Sequence, residues 1–193
     1  FDDLARGRTY AKVIGRKFRP EVLFTFPSLF EALPTYRDGL FVDEQGRTLE
    51  IDLFDPEAWR TYGWSVYSPA AQKRLNKKPR PELFGDAELR AAFLAESLDR
   101  SRQLHDLLRR DAPGFGRTRY YSVQNVDDPT MERVLLAPDG DSWRVWFSTD
   151  KRVRRDKTLL ETLSAPGDGL ATVASQDWLS PQEQAAFALP TVH

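Results

Sequence analysis

The spacing of apolar positions changes along the chain and separates a helical first part from a strand-rich second part. A short apolar run over Val22–Phe26 is typical of a strand or a buried loop, and Pro27 ends it. Ser28 and Glu31 have the spacing of a capping box, which predicts a short helix that ends at Pro34. Because so short a helix is unstable alone, we expect it to pack against an apolar surface.

A hairpin and a second short helix are predicted next. The apolar segment Leu40–Val42, a turn over Glu44–Gly46 and the alternating segment Leu49–Leu53 form the pattern of a β-hairpin. Asp55 followed by Pro56 supplies an N-cap and a proline at the first helical position. The sequence therefore predicts a helix that begins at residue 56.

The longest helix is predicted to begin after Asp86. Four of its residues fall on one apolar face, namely Leu94, Leu98, His105 and Leu108. No partner motif accompanies His105, so we interpret it as a packed histidine satisfied by a neighbour and not as a base or a metal ligand.

Two charged segments are predicted to be solvated loops. Pro69–Pro81 contains three prolines and five basic side chains, and Lys151–Lys157 is also strongly basic. For Pro69–Pro81 the alternative is a mobile lid whose positive charge meets anionic lipid headgroups.

The second part of the chain has the alternating pattern of strands. Three strands are predicted, over Arg119–Val126, Glu132–Ala137 and Trp143–Ser148, and Pro138–Asp141 is a strong hairpin turn between the last two. Together with the helical first part, this predicts a mixed α/β fold with a division into residues 1–110 and 111–193.

Composition excludes several kinds of function. The chain has 193 residues, no cysteine and a net charge of −1, which excludes disulfides and thiolate metal sites and gives no global field toward nucleic acid. No apolar run reaches the length of a membrane span, so we expect a soluble, cytoplasmic protein. The chain opens at Phe1 and its single methionine is Met131, so we expect that further residues precede it.

Four aromatic residues lie close together in the first part of the chain, namely Trp59, Tyr62, Trp64 and Tyr67. One interpretation is a hydrophobic core, because aromatic side chains supply large apolar areas to small modules. The other is an exposed surface for an apolar partner. Under the second interpretation Trp59 and Trp64 would contact substrate.

Several motifs resemble one known family. F-P-S-L-F-E-A-L-P at residues 26–34, V-D at 42–43, I-D-L-F-D-P-E-A-W at 51–59 and Y-G-W-S at 62–65 are similar to the lecithin:cholesterol acyltransferase family, and Asp128–Thr130 is similar to a P-T step after a late strand of that family. The family consists of α/β-hydrolases that act on lipid esters. The resemblance implies that the first part of this chain is a largely helical cap.

The same resemblance assigns residues of a catalytic triad. Gly-Asp-Gly around Asp168 looks like the loop that carries the triad acid, with Ser175 at the matching offset, although Leu170 and Ala171 depart from the family pattern. Asp168 and His193 occur in the order of an α/β-hydrolase triad. His193 is then either the base or lies just short of it, and taken alone the Gly-Asp-Gly sequence is a turn.

The sequence lacks the nucleophile that such a triad needs. No G-x-S-x-G is present, and Gly63–Tyr67 matches only the first half of that motif. The resemblance therefore implies a partial α/β-hydrolase: part of a serine-dependent lipid acyltransferase or lipase, with a lipid or acyl-ester substrate, contact with a membrane surface, and the N-terminal half of the protein as partner.

Two alternatives stay open, a non-catalytic module that binds lipid or protein and a degenerate remnant with a structural role. No cofactor and no metal are predicted, because no ligand cluster with suitable spacing is present.

Overall fold

Helices and strands alternate irregularly in the computed structural model, which describes residues 1–2, 5, 10–11, 16–34, 39–77, 86–110 and 125–176. The helices in these residues are α1 Pro20–Leu23, α2 Pro27–Glu31, α3 Pro56–Thr61, a 3₁₀ helix Ser65–Tyr67, α4 Pro69–Lys77, α5 Ala87–Leu108, α6 Lys151–Arg155, α7 Lys157–Leu163 and α8 Val173–Gln176. The strands are β1 Tyr10–Ala11, β2 Arg16–Lys17, β3 Phe41–Val42, β4 Thr48–Leu49, β5 Asp128–Met131, β6 Val134–Asp139, β7 Ser142–Trp146 and β8 Ser164–Gly167. The predicted mixed class of helices and sheets is confirmed.

The chain divides into two compact units, and each is built from separate segments. Unit 1 contains Phe1–Asp38, Glu50–Arg110 and Ala137–Val145, and unit 2 contains Gly39–Leu49, Asp111–Leu136 and Trp146–His193. This differs from a division at residue 110 because β3 pairs in parallel with β6, which places the β3–β4 hairpin with the later part of the chain.

The core of unit 1 is a cluster of aromatic rings under α5. Phe24, Phe30 and Trp59 are fully buried, and their rings pack at 5.8 Å between Phe24 and Phe30 and 5.6 Å between Phe30 and Trp59. Leu94 and Leu98 of α5 are buried beside them. Burying such large apolar areas supplies most of the stability that the short helices α2 and α3 lack on their own.

Polar groups on α5 fasten it to the end of α2. Ser101 Oγ donates a hydrogen bond of 2.6 Å to the carbonyl of Phe30, and His105 Nε2 lies 2.9 Å from the carbonyl oxygen of Glu31. His105 is buried and therefore has the structural role that the sequence predicted. Leu108 does not belong to the buried face, because 71% of it is exposed.

The predicted N-caps of the two later helices are confirmed. Asp55 Oδ1 accepts a hydrogen bond from the Glu57 amide at 2.9 Å. Asp86 Oδ1 accepts hydrogen bonds from the amides of Glu88 and Leu89 at 2.7 and 3.1 Å. These caps need only neighbouring residues, so local sequence is sufficient to predict them.

The beginning of unit 1 differs from the sequence prediction. Val22 lies in helix α1 and not in a strand or a buried loop, because Pro20 starts a helical turn there. The capping box of Ser28 and Glu31 is absent, since α2 begins at Pro27 and Ser28 already lies inside its first turn. Glu31 instead forms an ion pair of 3.0 Å with Arg100.

The segment predicted as a loop or lid from Pro69 is helix α4 as far as Lys77, and residues 78–81 lie outside the described residues. Pro69 is compatible with the first helical position, and the buried pair Ala71 and Leu75 gives the helix one apolar face. Arg74 pairs with Glu21 through bonds of 2.6 and 2.9 Å, which fixes this helix against α1.

Unit 2 contains two small sheets. In one of them, β3 and β4 are antiparallel, and β3 pairs in parallel with Val134 and Leu135 of β6. The other sheet pairs β5 and β8 in antiparallel register from Asp128 with Gly167 to Met131 with Ser164. The predicted hairpin turn before β7 is confirmed, with Gly140 at φ 64°.

Two further predictions fail or fall outside the described residues. Lys151–Lys157 is not a loop: residues 151–155 form α6 and residue 157 begins α7, because the fully buried Val153 anchors the basic segment and its charged side chains remain exposed. The strand predicted over Arg119–Val126 lies mostly outside the described residues, and its last two residues are not in a strand.

The ion pair of Glu21 and Arg74 gives unit 1 a pH-dependent contribution to stability. Burial alone would raise the pKa of Glu21, but the hydrogen bonds and charge of Arg74 outweigh it and hold this pKa below its ordinary value of 4.5. A carboxylate whose pKa is lowered in the folded state stabilises the fold above its unfolded pKa, and this contribution is lost as the pH falls through the folded pKa.

We expect Glu21→Gln to lower the free energy of unfolding by about 2 kcal/mol at pH 7, because it leaves Arg74 without its charged partner. Urea denaturation at pH 7 and pH 3 measures this, and the difference from wild type should shrink at the lower pH. Glu96→Gln, at an exposed position on α5, is the matched control. An equal difference at both pH values would contradict the assignment.

Candidate functional site

Asp168 occupies a tight turn directly after β8. Its Oδ1 accepts hydrogen bonds from the amides of Leu170 and Ala171 at 2.8 and 2.7 Å, and its own amide donates to the Ala171 carbonyl at 3.2 Å. The bonds from Ala171 and then Leu170 hold the pKa of Asp168 below its usual range. The side chain is exposed, and Oδ2 has no hydrogen bond to any residue that the structure describes.

A side chain of the neighbouring strand β5 is hydrogen-bonded to this turn. Thr130 is buried, and its Oγ1 donates to the Asp128 carbonyl at 3.1 Å and accepts from the Gly169 amide at 2.7 Å. A Cβ at Gly167 would lie 2.3 Å from the Ala171 oxygen and 2.4 Å from Thr130 Oγ1. Only glycine fits at residue 167 without a shift of these neighbours, so the backbone before Asp168 packs closely against Thr130 and Ala171.

An apolar groove of about 470 Å³ is lined by residues of β5, α7 and β8, and β8 ends directly before Asp168. Its apolar lining is formed by Val126, Pro129, Leu160, Ala165 and Pro166, and its polar lining includes Asp127, Lys157 and Glu161. This volume lies within the range of small-molecule sites in proteins.

The other residues predicted for the triad are not assembled around Asp168. His193 lies outside the described residues. Ser175 makes a local hydrogen bond, in which its Oγ donates to the Thr172 carbonyl at 3.0 Å. Among the described residues, no group of three or more histidine, aspartate or glutamate side chains is arranged to hold a metal ion.

The two tryptophans predicted to contact substrate have different positions. Trp59 is fully buried and its Nε1 donates to the Leu53 carbonyl at 2.8 Å, so it has the core role that was the alternative interpretation. Trp64 is also almost completely buried, but one edge of it lines a cleft in unit 1.

This cleft has a volume of about 650 Å³ and combines aromatic rings with arginines. The aromatic and basic residues that line it are Phe18, Tyr62, Trp64, Trp143, Arg19, Arg74 and Arg144. Tyr62 and Trp64 belong to the aromatic cluster that the sequence singled out, and the other five were not predicted. Those five come from other segments of the chain, so no local motif signals them.

Ser65, in the half-match to a nucleophile motif, has an unusual backbone conformation. Its φ is 54°, the only positive value for a residue other than glycine in the described part of the chain. The side chain is completely buried, and its Oγ has no hydrogen bond to a described residue. A substrate therefore cannot reach this hydroxyl, in agreement with the prediction that Gly63–Tyr67 is not a nucleophile motif.

No protein-family model matches the chain, and no match is found among curated proteins or among solved structures. Among the described helices, none combines the length and apolar character needed to cross a membrane. The function must therefore be inferred from the chemistry of the residues themselves.

Ser65→Ala should raise the free energy of unfolding by about 1 kcal/mol, because it removes a buried hydroxyl that has no hydrogen bond. Thermal and urea denaturation of the two proteins measures the change. A loss of stability would show instead that the hydroxyl makes a hydrogen bond in solution.

Gly167→Ala should destabilise unit 2 by about 2 kcal/mol or more, because the new methyl group would overlap the Ala171 carbonyl oxygen and Thr130 Oγ1. Gly140→Ala is the matched control: it also replaces a turn glycine, but a Cβ there meets nothing within 4 Å. Its cost should be about 1 kcal/mol, from the positive φ alone. Equal costs for the two variants would contradict the close packing at Gly167.

Proposed function

We propose that the chain is part of a serine-dependent lipid acyltransferase or lipase, and that Asp168 is the acid of its catalytic triad. One observation carries this proposal: the two oxygens of Asp168 have different surroundings. Oδ1 is fixed by two backbone amides, whereas Oδ2 is open on the exposed side of the turn. A triad acid needs both properties, because it must be held rigidly and still accept the N–H of a histidine.

The electrostatics of the turn suit the same role. Hydrogen bonds from Ala171 and Leu170 lower the pKa of Asp168, so the carboxylate is ionised at neutral pH. An ionised carboxylate orients the neutral histidine through its ring N–H and stabilises the imidazolium that forms when the histidine takes the proton of the serine. Thr130 and Gly167 keep the carboxylate in place throughout the cycle.

In this proposal the reaction is acyl transfer in two steps. The serine oxygen attacks the carbonyl of a lipid ester, its proton passes to the histidine, and the alcohol leaves with that proton to give an acyl-serine. An alcohol or water then takes the acyl group by the reverse sequence. His193 is the candidate base, the serine is supplied by residues outside these 193, and no cofactor takes part.

The apolar groove beside β5 and β8 is the proposed place for the acyl part of the substrate. Its lining is mostly apolar, and β8, one of the strands that line it, leads directly into the turn of Asp168. Burial of hydrocarbon in such a groove is favourable by about 0.8 kcal/mol for each CH₂ group.

The second candidate is a non-catalytic binding module. It is favoured by the burial of Ser65, the serine of the incomplete motif, and by the presence of a cleft with aromatic and basic side chains in unit 1. Under this hypothesis the Gly-Asp-Gly sequence is a structural turn, and Asp168 has no role beyond it.

Asp168→Asn separates these hypotheses, because asparagine keeps the Oδ1 acceptor and loses the charge. In the full-length protein encoded by the gene, we expect hydrolysis of a short-chain p-nitrophenyl ester to fall by about 10³ to 10⁴ in kcat with an unchanged melting temperature. Asp141→Asn is the control, since Asp141 is exposed and also follows a turn glycine.

An Asp168→Asn protein with activity within tenfold of wild type would overturn the triad assignment. Asp168→Ala adds a second test, because alanine removes the acceptor of both turn amides. If the role is only structural, alanine lowers the melting temperature and asparagine changes neither stability nor activity.

A further inference from the structure

We propose that the cleft of unit 1 binds a planar aromatic molecule that carries a single negative charge. The cleft is lined by residues of unit 1 alone, and the proposal is independent of the triad assigned to unit 2. A carboxylate, a sulfonate or a phosphodiester on a ring system would satisfy it. The aromatic lining, the charge of the lining and the rigidity of the cleft favour such a ligand.

The aromatic lining presents ring faces and edges at fixed angles. Tyr62 stacks on Trp64 with a centroid distance of 5.5 Å and an angle of 23°, and Trp143 meets Tyr62 edge-on at 5.4 Å and 84°. Trp143 is 43% exposed, although tryptophan is usually largely buried. An exposed indole beside a stacked pair offers a surface on which a further ring can pack with offset or edge-to-face geometry.

The charge of the lining is one positive charge in excess. Arg74 is neutralised by the bidentate contact with Glu21, and Arg144 by Asp139 at 3.2 Å. Arg19 is exposed and has no ion pair with a described residue; it acts on Glu21 only through its charge. One uncompensated guanidinium favours a monoanion over a polyanion, and its planar fork suits a carboxylate or phosphate group.

The cleft is also rigid, which lowers the entropic cost of binding. Pro20 and Pro69 line it at the first positions of α1 and α4, and the contact of Arg74 with Glu21 fixes these two helices together. Its volume of about 650 Å³ is more than sufficient for a ligand of two or three fused rings with a side group. A rigid aromatic ligand loses less freedom in such a site than a flexible acyl chain does.

Three probes separate the contributions of charge and planarity. 1-Naphthoate is planar and anionic, 1-naphthamide is planar and neutral, and octanoate is anionic and flexible. In calorimetric titrations of the wild-type protein we expect 1-naphthoate to bind at least about tenfold more tightly than either of the other two, which corresponds to the loss of one charged or one stacking contact.

Two variants then assign the contacts. Arg19→Gln should weaken 1-naphthoate about tenfold and leave 1-naphthamide unchanged, since it removes only the uncompensated charge. Trp143→Ala should weaken both naphthyl probes about tenfold, since it removes the exposed ring. Both residues are exposed, so the variants should fold, and thermal denaturation checks this.

The matched controls lie away from the cleft. Arg155→Gln removes an exposed arginine of unit 2, and Phe26→Ala removes an exposed aromatic ring of unit 1 that does not line the cleft. Neither should change the affinity for 1-naphthoate.

Three outcomes would overturn the proposal. Octanoate binding as tightly as 1-naphthoate would show that the cleft accepts acyl chains and not planar rings. An unchanged affinity of Arg19→Gln for 1-naphthoate would show that the charge of Arg19 does not contribute to binding. No binding of 1-naphthoate at about 1 mM, a concentration that saturates sites with the affinity usual for substrates, would exclude a ligand of this class.

Discussion

Unit 1 depends on the way one face of α5 completes the end of α2. The five-residue helix α2 ends at Glu31, and Ser101 and His105 of α5 contact the carbonyls of Phe30 and Glu31 from more than 70 residues away in sequence. The Phe30 carbonyl also accepts a hydrogen bond from the Leu33 amide at 3.1 Å, so the contact from Ser101 is additional to the local backbone bond. The same face of α5 buries Leu94 and Leu98 against the aromatic core. Apolar packing and side-chain hydrogen bonds therefore act together, and α2, which is too short to be stable alone, depends on α5.

Unit 2 also contains a side chain that is hydrogen-bonded to the backbone of a distant short element. Thr130 of β5 binds the amide of Gly169, so a side chain of one strand fixes the turn that follows another. In both units a long-range contact to the backbone adds to the local hydrogen bonds of a short element. Short elements fixed in this way are suited to present a side chain such as Asp168, because loops on a rigid frame commonly carry functional groups.

Whether a feature of the fold or the site could be predicted from the sequence depends on how far apart in the chain its interacting residues lie. The caps of Asp55 and Asp86 and the turn at Gly140 involve neighbours in sequence, and all three were predicted correctly. Helix α4 was missed because its stabilising partner, Glu21, lies 53 residues away, so a segment rich in proline and lysine resembles a loop. The cleft was missed for the same reason, because Trp143 and Arg19 carry no local signal of meeting in one unit.

A lowered pKa does not by itself distinguish a functional carboxylate from a structural one in this protein. Hydrogen bonds and ion pairs that hold the fold together account for the low pKa of Glu21 and also for that of Asp168. The two carboxylates differ in how many of their oxygens accept hydrogen bonds. Both oxygens of Glu21 accept from Arg74, whereas Asp168 accepts from the amides of its turn through Oδ1 alone. A carboxylate that only closes a turn needs one acceptor, so the second oxygen is available for a partner. In the proposed function, the assignment of Asp168 as triad acid therefore rests on that unused acceptor and not on the shifted pKa.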